Sequence, residues 1–292
     1  MTATEVPQTG VTGIASPEPH LVVVDGDQLR VSAAGLREIW DYREVLRAFT
    51  VRKIKVRYKQ AAFGIGWAVL QPVITAVMFA IFIGHVARVG GEGLPYFVFT
   101  LSGMTVWTFF TSAATGGLNS LLGDSGLLRK VYFPREVLPL SAIAASLVDL
   151  VPSLLALLVA TLSFGIDPTL SWLLVPIPML LVVVFATGVG MGLSAVNVYY
   201  RDVGFIVPFV LQVGLFASPI IYSLQKIPKA YRGGYATLNP VASAIDGLRR
   251  CLLHGEAPDW SQTGGAFLMA LAVLFAGYAM FKRLERGFSD RV

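Results

Sequence analysis

The 292-residue chain is 55% hydrophobic and only 14% charged, with a mean hydropathy of +0.67. It has too little polar surface to cover a soluble globule of its size, so it reads as an integral membrane protein. Its formal charge of +5 comes from 23 Lys and Arg against 18 acidic residues, and the single cysteine, Cys251, excludes an internal disulfide and a redox pair.

Residues 1–35 form an N-terminal tail with Glu5, Pro7, Pro17, Glu18 and Pro19, without the basic start and apolar centre of a signal peptide. Within it, LVVVDGDQLRV at 21–31 places Asp25-Gly26 between two β-prone runs, a hairpin signal. From Leu36 the pattern becomes helical. Leu36, Ile39, Trp40, Leu46 and Phe49 share one side, while Arg37, Asp41, Glu44 and Arg47 gather on another. The spacing predicts a basic amphipathic helix lying at the membrane interface over 36–60.

Six apolar stretches follow, over 64–86, 94–122, 137–165, 172–198, 203–224 and 263–281. Each is long enough to cross a hydrocarbon core that needs about 20 helical residues, and a helix keeps its backbone hydrogen bonds internal. The expected fold class is therefore an all-α integral membrane protein with six transmembrane helices. The segments before the first stretch, between the second and third, between the fourth and fifth, and after the sixth hold 17 of the 23 Lys and Arg. By the positive-inside rule both termini are cytosolic.

The loop between the fifth and sixth stretches, about 226–254, carries Lys226, Lys229, Arg232, Arg249 and Arg250, against that rule. It also carries Asn239-Pro240, a capping residue followed by proline at the first helical position. A helix from Pro240 would set Val241, Ile245, Leu248 and Leu252 on one face. The loop is either two short amphipathic helices in or dipping into the outer leaflet, or an ordinary external loop with one helix.

Motif absences narrow the function. There is no G-x-x-x-x-G-K-[ST] phosphate cradle, so the chain is not an ATPase by itself. Gly188 and Gly192 have the spacing that lets helix backbones approach in lipid. Asp149 and His85 are the ionisable groups within the stretches; Asp149 marks either a path or a pair, or is protonated and bonded to a neighbouring helix. Phe205, Phe209, Gln212 and Phe216 fall on one helical stripe, and Trp67, Gln71, Thr75, Met78 and Phe82 on another. Such stripes serve packing or a passage for sugars, whose C–H faces lie on rings while amides take their hydroxyls.

Five blocks then carry a family likeness: VRKIKVRYKQAAFGIGWAVLQP at 51–72, WTFFTSAATGGLNSLLGDSGLLRKVYFPREVLPL at 107–140, YYRD at 199–202, SPIIY at 218–222 and Asn239-Pro240. Together they resemble the membrane subunit of an ABC-2 type (type V) exporter, within it the Wzm and TagG permeases that export O-antigen, teichoic acid or galactan. The likeness covers roughly 36–288. It implies an ABC-2 transmembrane domain over 61–288 that works as a homodimer with two copies of a separate ATPase. That partner would bind ATP and Mg, and this chain would hold no cofactor or metal and no catalytic residue. The cargo would be a polyprenyl-pyrophosphate-linked polysaccharide crossing the bacterial inner membrane. Loop 124–135 would be the coupling helix docking on the ATPase, with Gly126, Leu127, Leu128, Lys130, Phe133 and Pro134 at the matching positions. Arg52, Lys53, Lys55, Arg57 and Lys59 would receive the substrate headgroup, although setting membrane orientation also accounts for that cluster. Trp67, Gln71, Phe82, Phe205, Phe209, Gln212 and Phe216 would line the translocation path. Export of a drug or free lipid is a second expectation, and a membrane enzyme or channel acting alone a third.

Overall fold

A computed structural model describes residues 40–59, 61–86, 91–124, 126 and 133–288. The hairpin expected at 21–31, with Leu36 and Ile39, lies outside the described residues. Among the described residues the regular structure is all helical, joined by turns and irregular segments, apart from one isolated bridge, Gly91 with Leu94. Helix α1 (Arg43–Tyr58) leads by a short turn into α2 (Gly66–Phe79), which continues in wider π geometry as Ala80–Val86. Then come α3 (Tyr96–Gly123), α4 (Val137–Ser163), a 3₁₀ turn (Leu170–Leu174), α5 (Pro176–Tyr199) and α6 (Val203–Ala217). Helices α7 (Lys229–Leu238) and α8 (Pro240–Arg249, continued in π geometry to His254) precede the last, α9 (Trp260–Glu285).

Five of these are long and apolar enough to cross a membrane: Gly66–Val86, Tyr96–Gly123, Val137–Ser163, Leu170–Tyr199 and Trp260–Glu285. Helix α3 is the central post, 78% of its most apolar window being buried against 11% for α2. It packs on α2, α4, α5 and α8, and α5 in turn lies along α9. Small residues make those crossings close. A Cβ on Gly188 would stand 2.5 Å from the backbone of Leu274, and one on Gly117 2.7 Å from the Cα of Gly190. Without a hydrophobic drive between helices in lipid, such close backbone packing supplies the association.

The stretch read as a fifth span over 203–224 is different in the structure. Its helix α6 has 15 residues and ends at Ala217, before Ser218-Pro219. At 1.5 Å per residue it is about 22 Å long, short of a hydrocarbon core of about 30 Å. It buries none of its own residues within the chain, and Phe205 is 81% exposed.

The loop before α9 also differs from a surface-lying pair. Asn239 does cap α8, its side chain accepting from the Ala242 N–H at 3.1 Å. But nearly every residue of α8 is buried, Val241, Ile245 and Leu248 among them, because the helix inserts between α3, α5 and α9. Helix α7 buries Ala236 alone.

Candidate functional site

Helix α1 packs along α4 and sets Tyr42, Val45, Leu46 and Phe49 on a cluster built from the C-terminal ends of α3, α5 and α9 and the N-terminal end of α4. That i, i+3, i+4, i+7 spacing is one face of a helix; of the five basic residues, Lys53 and Arg57 continue it one and two turns on, while Arg52, Lys55 and Lys59 lie around from it. Most of them are already engaged. Arg52 and Lys53 both reach Asp124, at 3.3 and 2.6 Å, and Arg57 pairs with Asp149. Lys55 and Lys59 are exposed and have no ion-pair partner among the described residues. Asp149, whose role the sequence left open, is thus a pair: its second oxygen accepts from the Tyr58 hydroxyl at 2.6 Å. Burial and that bond hold the Tyr58 hydroxyl up at about 12.

Beside this pair lies a cavity of about 300 Å³, its wall more apolar than polar but edged with polar side chains, bounded by the end of α1 and by α2, α3 and α4. Its wall has a local cause. Pro72 has no N–H to offer the Ala68 carbonyl one turn back, and the Ser153 hydroxyl of α4 donates to that carbonyl at 2.8 Å instead. The freed backbone group thereby ties α2 to α4. Trp67 and Gln71, four residues apart on α2, border the cavity, as do Thr108 and Ser112 of α3.

Of the expected path residues, the structure therefore places Trp67 and Gln71 at this cavity. Phe82, Phe205, Phe209 and Phe216 are exposed, and Gln212 lies on the same outer surface of α6. Helix α2 packs on α3 and α4, and α6 only lightly on α3 and α5. The two aromatic stripes are not brought together within one chain.

Of the expected coupling positions, Leu127, Leu128 and Lys130 lie outside the described residues. Gly126 is exposed, while Phe133 and Pro134 are buried. Phe133 stacks at a tilt on Phe49 of α1, with ring centres 5.3 Å apart. The loop is tied at both ends. Asp124 binds α1, and beyond Pro134 the Arg135 guanidinium donates to the Glu285 carbonyl at 2.6 Å while Glu136 pairs with Lys282 of α9.

Sequence reasoning missed Arg249. It is 3% exposed and lies 3.6 Å from the centre of the Phe99 ring. It donates to the Pro219 and Ile220 carbonyls at 2.6 and 2.8 Å, to the Phe99 carbonyl at 3.1 Å and to the Ser102 hydroxyl at 3.1 Å. Burial lowers its guanidinium to about 10, so it stays charged at neutral pH. The available signal was a basic residue on the side of the membrane where the positive-inside rule expects few. The neighbouring Arg250 is likewise engaged, by Asp246 at 3.1 Å and Glu256 at 3.4 Å. Among the described residues no group of three or more His, Cys, Asp or Glu could hold a metal ion.

Long apolar helices around a cavity edged with polar side chains, with a basic helix along one rim, define a multi-pass membrane permease. The sequence model of the family described as ABC-2 type transporter matches residues 44–253, and the chain belongs to that family. It is similar to the O-antigen export system permease protein RfbA of Myxococcus xanthus, 28% identical over 258 residues covering 88% of this chain and 98% of the relative. It is also similar to the protein of the same name from Klebsiella pneumoniae, 27% identical over 249 residues, 85% of this chain and 94% of that one. The polysialic acid transport protein KpsM of Escherichia coli is 21% identical over 241 residues, 82% and 93% of the two chains.

Proposed function

We propose that this chain is the permease subunit of an ATP-driven exporter that carries a polyprenyl-pyrophosphate-linked polysaccharide from the cytosolic to the outer face of the bacterial inner membrane. The observation that carries this reading is the end-to-end match to an O-antigen export permease, 98% of whose length is covered. Two copies of the chain pair with two copies of a separate ATPase, which binds ATP and Mg. Both termini are cytosolic. The sixth crossing is α6 completed by the irregular Ser218–Tyr222 segment. Non-helical backbone at membrane depth is tolerated where protein satisfies it, and here Arg249 takes the Pro219 and Ile220 carbonyls.

Loop 124–135 receives the ATPase's movement, with Gly126, Leu127, Leu128 and Lys130 as docking positions by their match to the family's coupling helix, and Phe133 and Pro134 as the buried root. The diphosphate headgroup is drawn to the basic rim, where Lys55 and Lys59 have charge to spare and each adds about 1 kcal/mol of attraction near an anionic leaflet. The apolar surfaces of α2 and α6 face lipid and the second copy, where their aromatic residues meet across the path.

The test is reconstitution of the chain with its cognate ATPase and a labelled polyprenyl-diphosphate-linked polysaccharide. ATP-dependent appearance of label on the far side is expected with both subunits, and neither transport nor ATP turnover with this chain alone. Transport without the ATPase, or preference for a drug or a free lipid over the glycolipid, would overturn the reading.

A further inference from the structure

The cavity between α1, α2, α3 and α4 contains polar groups that the protein itself leaves unanswered. Thr108 and Ser112 are one turn apart on α3, half-buried, and both border the space. Their hydroxyls and the Gln71 side-chain amide have no hydrogen-bond partner among the described residues, whereas Thr105, Ser146 and Ser153 at the same cavity donate to backbone carbonyls. Polar side chains turned toward an inner-leaflet cavity without partners call for a polar occupant.

The charge balance says which kind. Arg57 and Asp149 are paired, so the cavity is close to neutral, and the Asp149 carboxylate would repel a bare phosphate that came within reach of Arg57. Asp149, oriented by Arg57 and Tyr58, keeps acceptor capacity; Gln71 offers both donor and acceptor, and the two hydroxyls either. Trp67, on the same face of α2 as Gln71, adds an aromatic wall. A volume of about 300 Å³ is at the small end of the range for small-molecule sites. A neutral ring with hydroxyls around its edge and C–H groups on its face suits both the apolar wall and its polar edge; an inorganic anion does not, and an acyl chain would leave Thr108, Ser112 and Gln71 unanswered.

We infer that this cavity seats a single sugar ring, the one joined to the diphosphate of the lipid-linked substrate, while Lys55 and Lys59 hold the diphosphate outside it. The inference rests on the export reading above and divides the recognition of the substrate between two places on the chain. Lysines on the rim provide affinity for any diphosphate lipid. The cavity provides the preference for one that carries a sugar.

The experiment compares binding of polyprenyl diphosphate with binding of the same lipid bearing one hexose or one N-acetylhexosamine, using the complete permease–ATPase complex in nanodiscs. The unaltered complex is expected to prefer a sugar-bearing lipid about tenfold, with a change in tryptophan fluorescence that Trp67→Phe abolishes. In Thr108→Val/Ser112→Ala and in Asp149→Asn the ratio of the two affinities falls to about one. Lys55→Gln/Lys59→Gln weakens both lipids alike and keeps the ratio. Equal affinity for all of these lipids in the unaltered complex, or a preference that survives Thr108→Val/Ser112→Ala, overturns the sugar site while ATP-driven export still stands. Failure of every lipid to bind, together with absence of ATP-driven export, overturns the export reading and the sugar site with it.

Discussion

Replacing Arg249 by Met keeps much of the side chain's volume and removes all of its donors. Pro219 and Ile220 are buried, and their carbonyls, held at 2.6 and 2.8 Å in the native protein, lose that partner. A buried polar group left without one costs about 1–3 kcal/mol, so two cost about 2–6 kcal/mol. Losing the stacked cation over Phe99 adds up to about 2 kcal/mol. Against this, the variant no longer buries a charge, a saving of several kcal/mol. The balance is expected near 3 kcal/mol of destabilisation, because removing one partner of a buried charged network is the unfavourable direction of such a change. For a domain of this size that lowers the apparent unfolding midpoint by about 5 °C, read by loss of the monodisperse peak of detergent-solubilised protein after heating. Arg249→Lys keeps the charge but not the planar fork and should fall between. A Met variant as heat-resistant as the unaltered protein would refute the assignment of Arg249 as the clamp on the segment after α6.

Three further outcomes are expected. Gly188→Leu should abolish monodisperse protein in size-exclusion chromatography, since its Cβ would lie 2.5 Å from the Leu274 backbone. Gly192→Ala should elute normally, because its Cβ would press only on the flexible tip of Met280, at 2.9 Å, and would meet the Gly277 Cα at an ordinary 3.4 Å. Asp149→Ala should loosen α1 from α4 by about 1 kcal/mol, a value kept small by the exposure of Arg57, and Arg57→Gln/Asp149→Asn should restore part of it, as measured by protease cleavage at α1. Phe133→Ala, which removes the contact with Phe49 at a cost of about 3 kcal/mol, should leave ATP turnover by the complex in place while lowering the amount of polysaccharide moved per ATP.

The long helices could be read from hydropathy because each carries its own apolar run, and the cap at Asn239 because Asn-Pro at a helix start is a local signal. The close crossing at Gly188 was legible as a spacing, but its partners, Leu274 and Gly277, were not: they lie more than eighty residues away and obey no periodicity shared with it. The same limit hid the pairing of Asp149 with Arg57 and Tyr58, which joins residues 92 and 91 positions apart. Helix α6 was drawn too long because Ser218–Tyr222 is as apolar as a helix; a buried arginine thirty residues downstream allows it to be irregular. The burial of α8 was illegible for a similar reason, since a helix that inserts among others looks amphipathic whenever one of its residues is charged. Trp67 and Gln71 could be picked as a pair on one helical face, but not the helix that face would meet.

Asp124 is moored to α1 and Arg135 to α9, so the two points between which the intervening segment hangs are each fixed to a different helix. A thrust delivered there arrives at once in the basic helix on one side and in the last helix on the other. The two helices would then tilt together as one plate, and on the proposed reading the basic cluster of α1 would shift in the same stroke.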